Sequence, residues 1–281
     1  LDSAVKEQAA FEKPKEISFP YPIASSESLT DNTYLSYNTV VGNVLDKELY
    51  LAFEVLEYAL LNAPGAPLKK ALINAGIGKD IMGSYDNGIY QPIFSIIAKN
   101  ANEEQKEEFL SVIRNVLEDC VKNGISKKSL LAGINSMEFK FREADFGAYP
   151  KGLMYGLQCL DSWLYDEKEP FMHIEAIETY AFLKEQTQGR YFEELVQKYL
   201  LDNTHVSVVI TKPQKGLNAE NEKALEEKLA AYKATLSKEE IDSLIADTRH
   251  LKEYQEEPSP KEDLEKIPLL KREDLKKEIV K

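Results

Sequence analysis

Apolar positions recur along this chain at two periods, and the change from one to the other is sharpest in residues 56–78, LEYALLNAPGAPLKKALINAGIG. Upstream of that run, Leu49, Phe53, Leu56 and Leu60 fall on one helical face. Asp46 stands where it can accept hydrogen bonds from the first free N–H groups, so an amphipathic helix of roughly four to five turns is predicted. Pro64-Gly65 stops it, since proline lacks the N–H and glycine tolerates the left-handed helix end. Pro67 suits the first position of a second helix that carries Leu68, Ala71 and Leu72 inward, and Gly76 and Gly78 close it. The period then shortens towards two in residues 77–83 and 90–98, with Asp86-Asn87-Gly88 between them as a hairpin-type turn.

The same reading extends in both directions. Residues 1–23 are polar and broken by Pro14, Pro20 and Pro22, an extended connector from a preceding domain. Alternation of Leu35, Tyr37, Thr39 and Val41 against Tyr34, Ser36 and Asn38 predicts a half-buried strand. Phe109, Val112, Ile113, Val116, Leu117 and Cys120 stripe a helix over 102–121, and Ser126 caps the next one, which carries Leu130, Ile134, Met137 and Phe141. Gly147 and Pro150 break that helix ahead of a segment over 152–165. Pro170 is expected to restart a helix through Ile174, Ile177 and Phe182; a short helix over 191–201 and a strand over 205–211 complete the domain. Strands separated by runs of helices imply an α+β fold, an antiparallel-rich sheet with helices packed on one face, over residues 24–215.

From Gly216 the composition turns to Glu, Lys, Leu and Ala. Leu225, Leu229, Tyr232 and Leu236 form one narrow stripe and Ile241, Leu244, Ile245 and Leu251 another, joined at Ser237-Lys-Glu-Glu240, a capping box. Residues 216–281 are therefore expected to form a charged helical hairpin and connector, with a short helix after Pro260 and a charged segment running out at Lys281.

Two runs carry a family resemblance. The Pro-Gly-Ala-Pro-Leu-Lys-Lys-Ala-Leu turn and helix with its Ala-Gly-Ile-Gly strand entry resembles the repeated domain of the pitrilysin/insulinase family of zinc metallopeptidases. Residues 152–171, GLMYGLQCLDSWLYDEKEPF, are similar to the helix and Trp-Tyr-acidic-Pro-Phe segment of the presequence-protease branch. Ala66 stands where the family usually has Ser, which removes a side-chain cap worth about 1 kcal/mol. The resemblance implies the noncatalytic second domain of the first half of a zinc metalloendopeptidase that degrades unfolded peptides, followed by the connector to the second half. Its implied partners are the catalytic domain and second half of the same polypeptide, and unfolded peptide substrates. The alternative is an independent noncatalytic relative that binds peptides or scaffolds an assembly. The linker-like start without Met leads us to expect His-x-x-Glu-His upstream of Leu1.

Zinc hydrolysis in this family needs that inverted motif on a helix, two histidines as ligands and the glutamate as general base. His173, His205 and His250 are the three histidines, each more than thirty residues from the next, and none is followed at the third position by glutamate. We therefore expect no catalytic residue, no metal ligand and no cofactor in this chain, and zinc in the longer polypeptide. Ser84, Ser95 and Ser207 lack a nucleophile elbow, Gly76-x-Gly78 reads as a helix end, and carboxylate pairs such as Glu226-Glu227 read as solvated helix face. What remains is binding. Tyr34, Tyr37, Tyr85, Tyr90 and Phe94 on predicted strands fit either a concave peptide surface or ordinary sheet core; Arg142 and Arg190 near helix ends fit either a substrate carboxylate or a local salt bridge. Tyr85, Tyr90, Phe94, Arg142 and Arg190 are the candidate peptide contacts.

Composition narrows the partners. With 281 residues, 43% of them hydrophobic, the chain can bury a substantial core. A net charge of −13 argues against nucleic acid and suits either plain solubility or the attraction of basic peptides. No apolar run approaches the roughly twenty residues of a bilayer span, so no membrane partner is expected. Cys120 and Cys159 lie on apolar faces of predicted helices and are expected as free thiols in a reducing compartment, a bacterial cytoplasm ahead of a mitochondrial matrix.

Overall fold

Asp46 Oδ1 accepts from the Leu49 N–H at 2.9 Å and starts the helix that the rest of the core is built on. The computed structural model describes residues 4–274; the first three residues of the expected connector and the charged segment over 275–281 lie outside the described residues. The chain forms two compact units divided between Leu217 and Asn218.

In the first unit five strands make one sheet in the order β1-β5-β2-β4-β3. They are β1 (Lys15–Ile23), β2 (Thr33–Val40), β3 (Asp80–Asp86), β4 (Ile93–Ala101) and β5 (Val206–Lys215). β2 lies in the middle, antiparallel to both neighbours, with Leu35 opposite Ala98 on one side and Ile210 on the other. β5 returns into the sheet, and β1 runs parallel to it, Ile17 opposite Val209. Helices cover the face that carries Leu35, Phe94, Ile96, Ala98 and Ile210, all buried.

The helices follow the sequence closely at their caps. α1 (Lys47–Glu57) continues into a wider, π-type turn over Tyr58–Asn62, and Gly65 takes φ +74° beyond it. α2 (Pro67–Asn74) begins on Pro67, with Ala66 offering no side-chain cap, and buries Leu68 and Leu72. Gly78 has φ +64°, and a Cβ there would lie 2.6 Å from the Lys99 carbonyl oxygen. α3 (Lys106–Asn123) buries Phe109, Ile113, Leu117 and Cys120. α4 (Lys127–Glu143) is capped by Ser126 and brings Gly133 so near the π-type turn that a Cβ would meet Tyr58 Cδ1 at 2.8 Å. α5 (Lys151–Trp163), α6 (Ile177–Gln186) and α7 (Tyr191–Val196) complete this layer.

Three expectations are corrected. The stretch read as connector contains β1, an edge strand whose residues are mostly exposed; Pro20 and Pro22 fit there because an edge strand has one side with no ladder to supply. Strands β3 and β4 start about three residues later than predicted, so residues 87–92 form a longer connection in which Gly88 has no positive φ and the Asn87 amide reaches Glu54 Oε1 at 2.8 Å. The helix expected from Pro170 begins only at Ile177, which is exposed. The residues before it turn tightly and put His173 into the core, and Ser162 Oγ donates to the Glu169 carbonyl at 2.6 Å to hold that turn.

The second unit is the helical hairpin. α8 (Leu217–Thr235) and α9 (Lys238–Glu256) meet at Ser237, whose hydroxyl accepts from Glu240 N at 3.2 Å while Ser237 N donates to Glu240 Oε2 at 2.8 Å. α10 (Lys261–Leu264) follows. The stripe residues Leu229, Tyr232, Leu244 and Ile245 remain about half exposed. Among the described residues no helix is long and apolar enough to cross a membrane. Both cysteines are free thiols.

Candidate functional site

α1 has two inward faces. Leu49, Phe53, Leu56 and Leu60 meet the sheet, while Tyr50, Glu54 and Glu57, spaced four and three residues apart, look towards α4, α5 and α6. Glu54 and Glu57 line a cavity of about 450 Å³ together with Tyr85 from β3, Met137, Lys140 and Phe141 from α4, Tyr155 and Gln158 from α5, and Tyr180 from α6. Asp145 and Phe146 complete it.

The carboxylates around this cavity meet neutral donors only. Asn87 holds Glu54, Asn62 Nδ2 donates to Glu57 Oε1 at 3.1 Å, and Tyr50 donates its hydroxyl to Asp161 Oδ2 at 3.0 Å. Burial pushes the Glu54 carboxyl up to about 7, against the Asn87 hydrogen bond, and the charges of Glu57 and Asp161 push the same way. Burial also raises Glu57 and Asp161. The Tyr85 hydroxyl is buried without a hydrogen-bond partner and raised strongly, by burial first and by Glu54 next. Such a hydroxyl is uncommon in a folded interior.

The predicted contact residues are scattered rather than brought together. Tyr85 reaches the cavity. Tyr90 stacks on Tyr165 with ring centroids 4.8 Å apart. Phe94 is fully buried against Phe53, because its strand position faces the helices, and it cannot touch a peptide. Arg142 pairs with Glu138 at 2.6 Å, and Glu138 also takes Lys184; these two partners, Lys184 first, hold its carboxyl below the ordinary range. Arg190 donates to the Val121 carbonyl at the end of α3. Tyr37 donates to the Leu200 carbonyl at 2.9 Å, and Tyr34 lies on the opposite sheet face against Tyr21. The α1 carboxylates were not anticipated. Their signal was the second stripe Tyr50, Glu54, Glu57, which reads as solvated until α4, α5 and α6 cover it.

The histidines do not fit a zinc centre. His173 is stacked on Tyr50 and His205 packs edge-on to Phe11, so burial lowers both, His173 to about 4. His250 is exposed on α9. Among the described residues no three His, Cys, Asp or Glu side chains are grouped to hold a metal ion.

Residues 3–137 match the family model described as the peptidase M16 inactive domain, and residues 211–281 match the one described as associated with peptidase M16, subfamily C. Protein HypA of Clostridium perfringens is 44% identical over 281 residues, which is 100% of this chain and 29% of that protein. The chain belongs to the peptidase M16 family. Within that family, presequence protease 1 of Arabidopsis thaliana is 29% identical across 98% of the chain and 26% of its own length. The chain thus spans less than a third of the relatives it matches. A crystal structure of a peptidase M16 inactive domain from Pseudomonas fluorescens shares the fold with a TM-score of 0.50 at 14% identity, over 75% of this chain and 46% of that one. The ferredoxin protease FusC, solved in complex with Arabidopsis ferredoxin, shares it with a TM-score of 0.51 at 10% identity, over 75% of this chain and 22% of its own. What the chain contributes to an M16 peptidase is thus its inactive domain and the associated helices.

Proposed function

We propose that this M16 inactive domain forms part of the wall of a closed chamber in a presequence-protease-like zinc metalloendopeptidase, and that its charged helices connect the two halves of that enzyme. The observation that carries the reading is the alignment with presequence protease 1, which runs through the α+β unit and the hairpin together and fills 26% of that protein. An exposed apolar row on α5, Leu153, Leu157 and Leu160 with Trp163 beside it, supports contact with further chain, since monomer surfaces seldom leave such rows open.

In this reading the catalytic domain and the second half of the same polypeptide are the partners, unfolded peptides the substrates, and zinc a cofactor held by residues outside this chain. The wall excludes folded proteins by size and transmits hinge motion between the halves. Free thiols and a 44% identical bacterial relative support a bacterial cytoplasm.

The test compares the 281-residue chain with the longer polypeptide on a fluorogenic unfolded peptide. The chain with added zinc is expected to show no turnover, and the longer polypeptide to cleave the peptide and stop when 1,10-phenanthroline is added. Zinc-dependent turnover by the chain alone, or chelator-resistant cleavage by the longer polypeptide, would sink the reading.

A further inference from the structure

We propose that the cavity between α1, α4, α5, α6 and β3 receives the guanidinium or ammonium head of a basic side chain on a bound peptide. The inference rests on the peptide-handling role proposed above and adds the chemical class of side chain that this wall selects.

Four observations carry it. The cavity, about 450 Å³, falls within the roughly 300–1,000 Å³ of ordinary small-ligand sites. Its polar groups are acceptors without a cation: among the described residues no ion pair reaches Glu54, Glu57 or Asp161, and each holds only a neutral amide or hydroxyl. Its remaining walls are aromatic, Tyr85, Phe141, Phe146, Tyr155 and Tyr180, which attract a cation over their faces. The buried Tyr85 hydroxyl has an unused lone pair that an N–H donor would fill.

A divalent metal fits less well, because these carboxylates are not grouped as a ligand set among the described residues. A planar guanidinium, weakly hydrated and able to donate to two carboxylates while stacked on a ring, suits the arrangement. Lys140 lines the same cavity but is exposed and pairs with neither glutamate.

Protonation follows from the surroundings. The charged groups facing Glu54 are Glu57 from its own helical run, Asp161 from α5, and Lys140 and Asp145 from α4 and the turn after it. Tyr50, Tyr85 and Tyr180 keep their protons, burial raising each hydroxyl. A cation binds the ionised form of Glu54, so affinity should rise with pH through about 7 and level off above it.

The experiment titrates the folded 281-residue chain with a fluorescein-labelled, end-capped peptide of Ala, Gly and Ser around one Arg, read by anisotropy. Expected are binding at least tenfold tighter than for the citrulline analogue, displacement by excess agmatine, and a loss of about tenfold in Glu54→Gln but not in Glu226→Gln, which removes the same charge from the hairpin. Tyr85→Phe, which keeps the ring, should weaken binding severalfold and serves if Glu54→Gln does not fold. Equal binding of the Arg and citrulline peptides, binding that survives saturating agmatine, equal losses in the two glutamate variants, or an unchanged Tyr85→Phe would each overturn the proposal. The titration needs no turnover, so its failure leaves the peptidase reading to its own chelator test.

Discussion

The Tyr50 ring is stacked on the His173 imidazole, centroids 3.9 Å apart and planes 22° from parallel, and the same tyrosine gives its hydroxyl to Asp161. One aromatic ring therefore divides a buried base from the acidic side of the cavity. His173 is held low, at about 4, because burial penalises the imidazolium more than a hydrogen bond with the Val44 backbone favours it. Glu54, one helical turn past Tyr50, is held high, at about 7.

These two shifts oppose each other in the pH dependence of stability. His173 keeps its proton off in the fold while the unfolded chain takes one up below about 6.5, so its contribution is present at neutral pH and is lost as pH falls from 6.5 towards 4. Glu54 is the reverse: the fold holds a proton that the unfolded chain gives up, so stability is lost as pH rises from 4.5 towards 7. Each shift corresponds to roughly 3 kcal/mol. Urea midpoints measured between pH 4.5 and 6.5 should show His173→Phe growing less stable with rising pH relative to the parent, and Glu54→Gln growing more stable. Two variants with the parent's slope would refute the assignment.

Glycine is required at residue 78 and only convenient at residue 65. Both have positive φ, but a Cβ at 78 would press on the Lys99 carbonyl oxygen, whereas at 65 nothing lies within 4 Å. Gly65→Ala should cost about 1 kcal/mol, the left-handed penalty alone. Gly78→Ala should cost about 3 kcal/mol or more, because overpacking against backbone adds to it. Chemical denaturation of the two variants separates these terms, and equal costs would show that the β3 entry yields.

Phe94 and Tyr90 were alike as candidate contacts and differ in the fold. Phe94→Ala should lose about 3–5 kcal/mol, since its ring is enclosed by Phe53 and the helices. Tyr90→Ala removes a partly exposed ring stacked on Tyr165 and should lose about 1 kcal/mol. Thermal melts compared at one pH are sufficient, and a Phe94→Ala variant as stable as the parent contradicts the burial.

Two caps can be tested in opposite directions. Ser237→Ala removes both halves of the box between α8 and α9 and should cost the hairpin about 1 kcal/mol, seen as faster amide exchange at residues 238–241 without a change in the α+β unit. Ala66→Ser adds the acceptor that α2 lacks and should raise the stability of the first unit by about 1 kcal/mol. No gain there would mean that the buried Ala66 site cannot seat a hydroxyl.

Local chemistry was legible wherever one short segment holds all the parts. The Asp46 cap, the Pro64-Gly65 stop, Pro67 at a helix start, the Ser126 cap and the Ser237–Glu240 box each concern a few consecutive residues, and each is found as read. Features that depend on a distant partner were not legible. β1 looked like connector because its pairing is with β5, almost two hundred residues on. The start of α6 slipped because His173 is drawn under Tyr50, a tertiary contact with no local signature.

From its sequence alone this chain declared an α+β domain, a charged hairpin and membership of a metallopeptidase family, because periodicity, caps and turn residues act over one or two helical turns. Only the tertiary structure decided which polar residues are enclosed. Glu54, Glu57, Tyr85 and Tyr180 come from three elements and acquire their raised protonation equilibria from burial, a property of what surrounds a side chain that its neighbours in sequence do not carry.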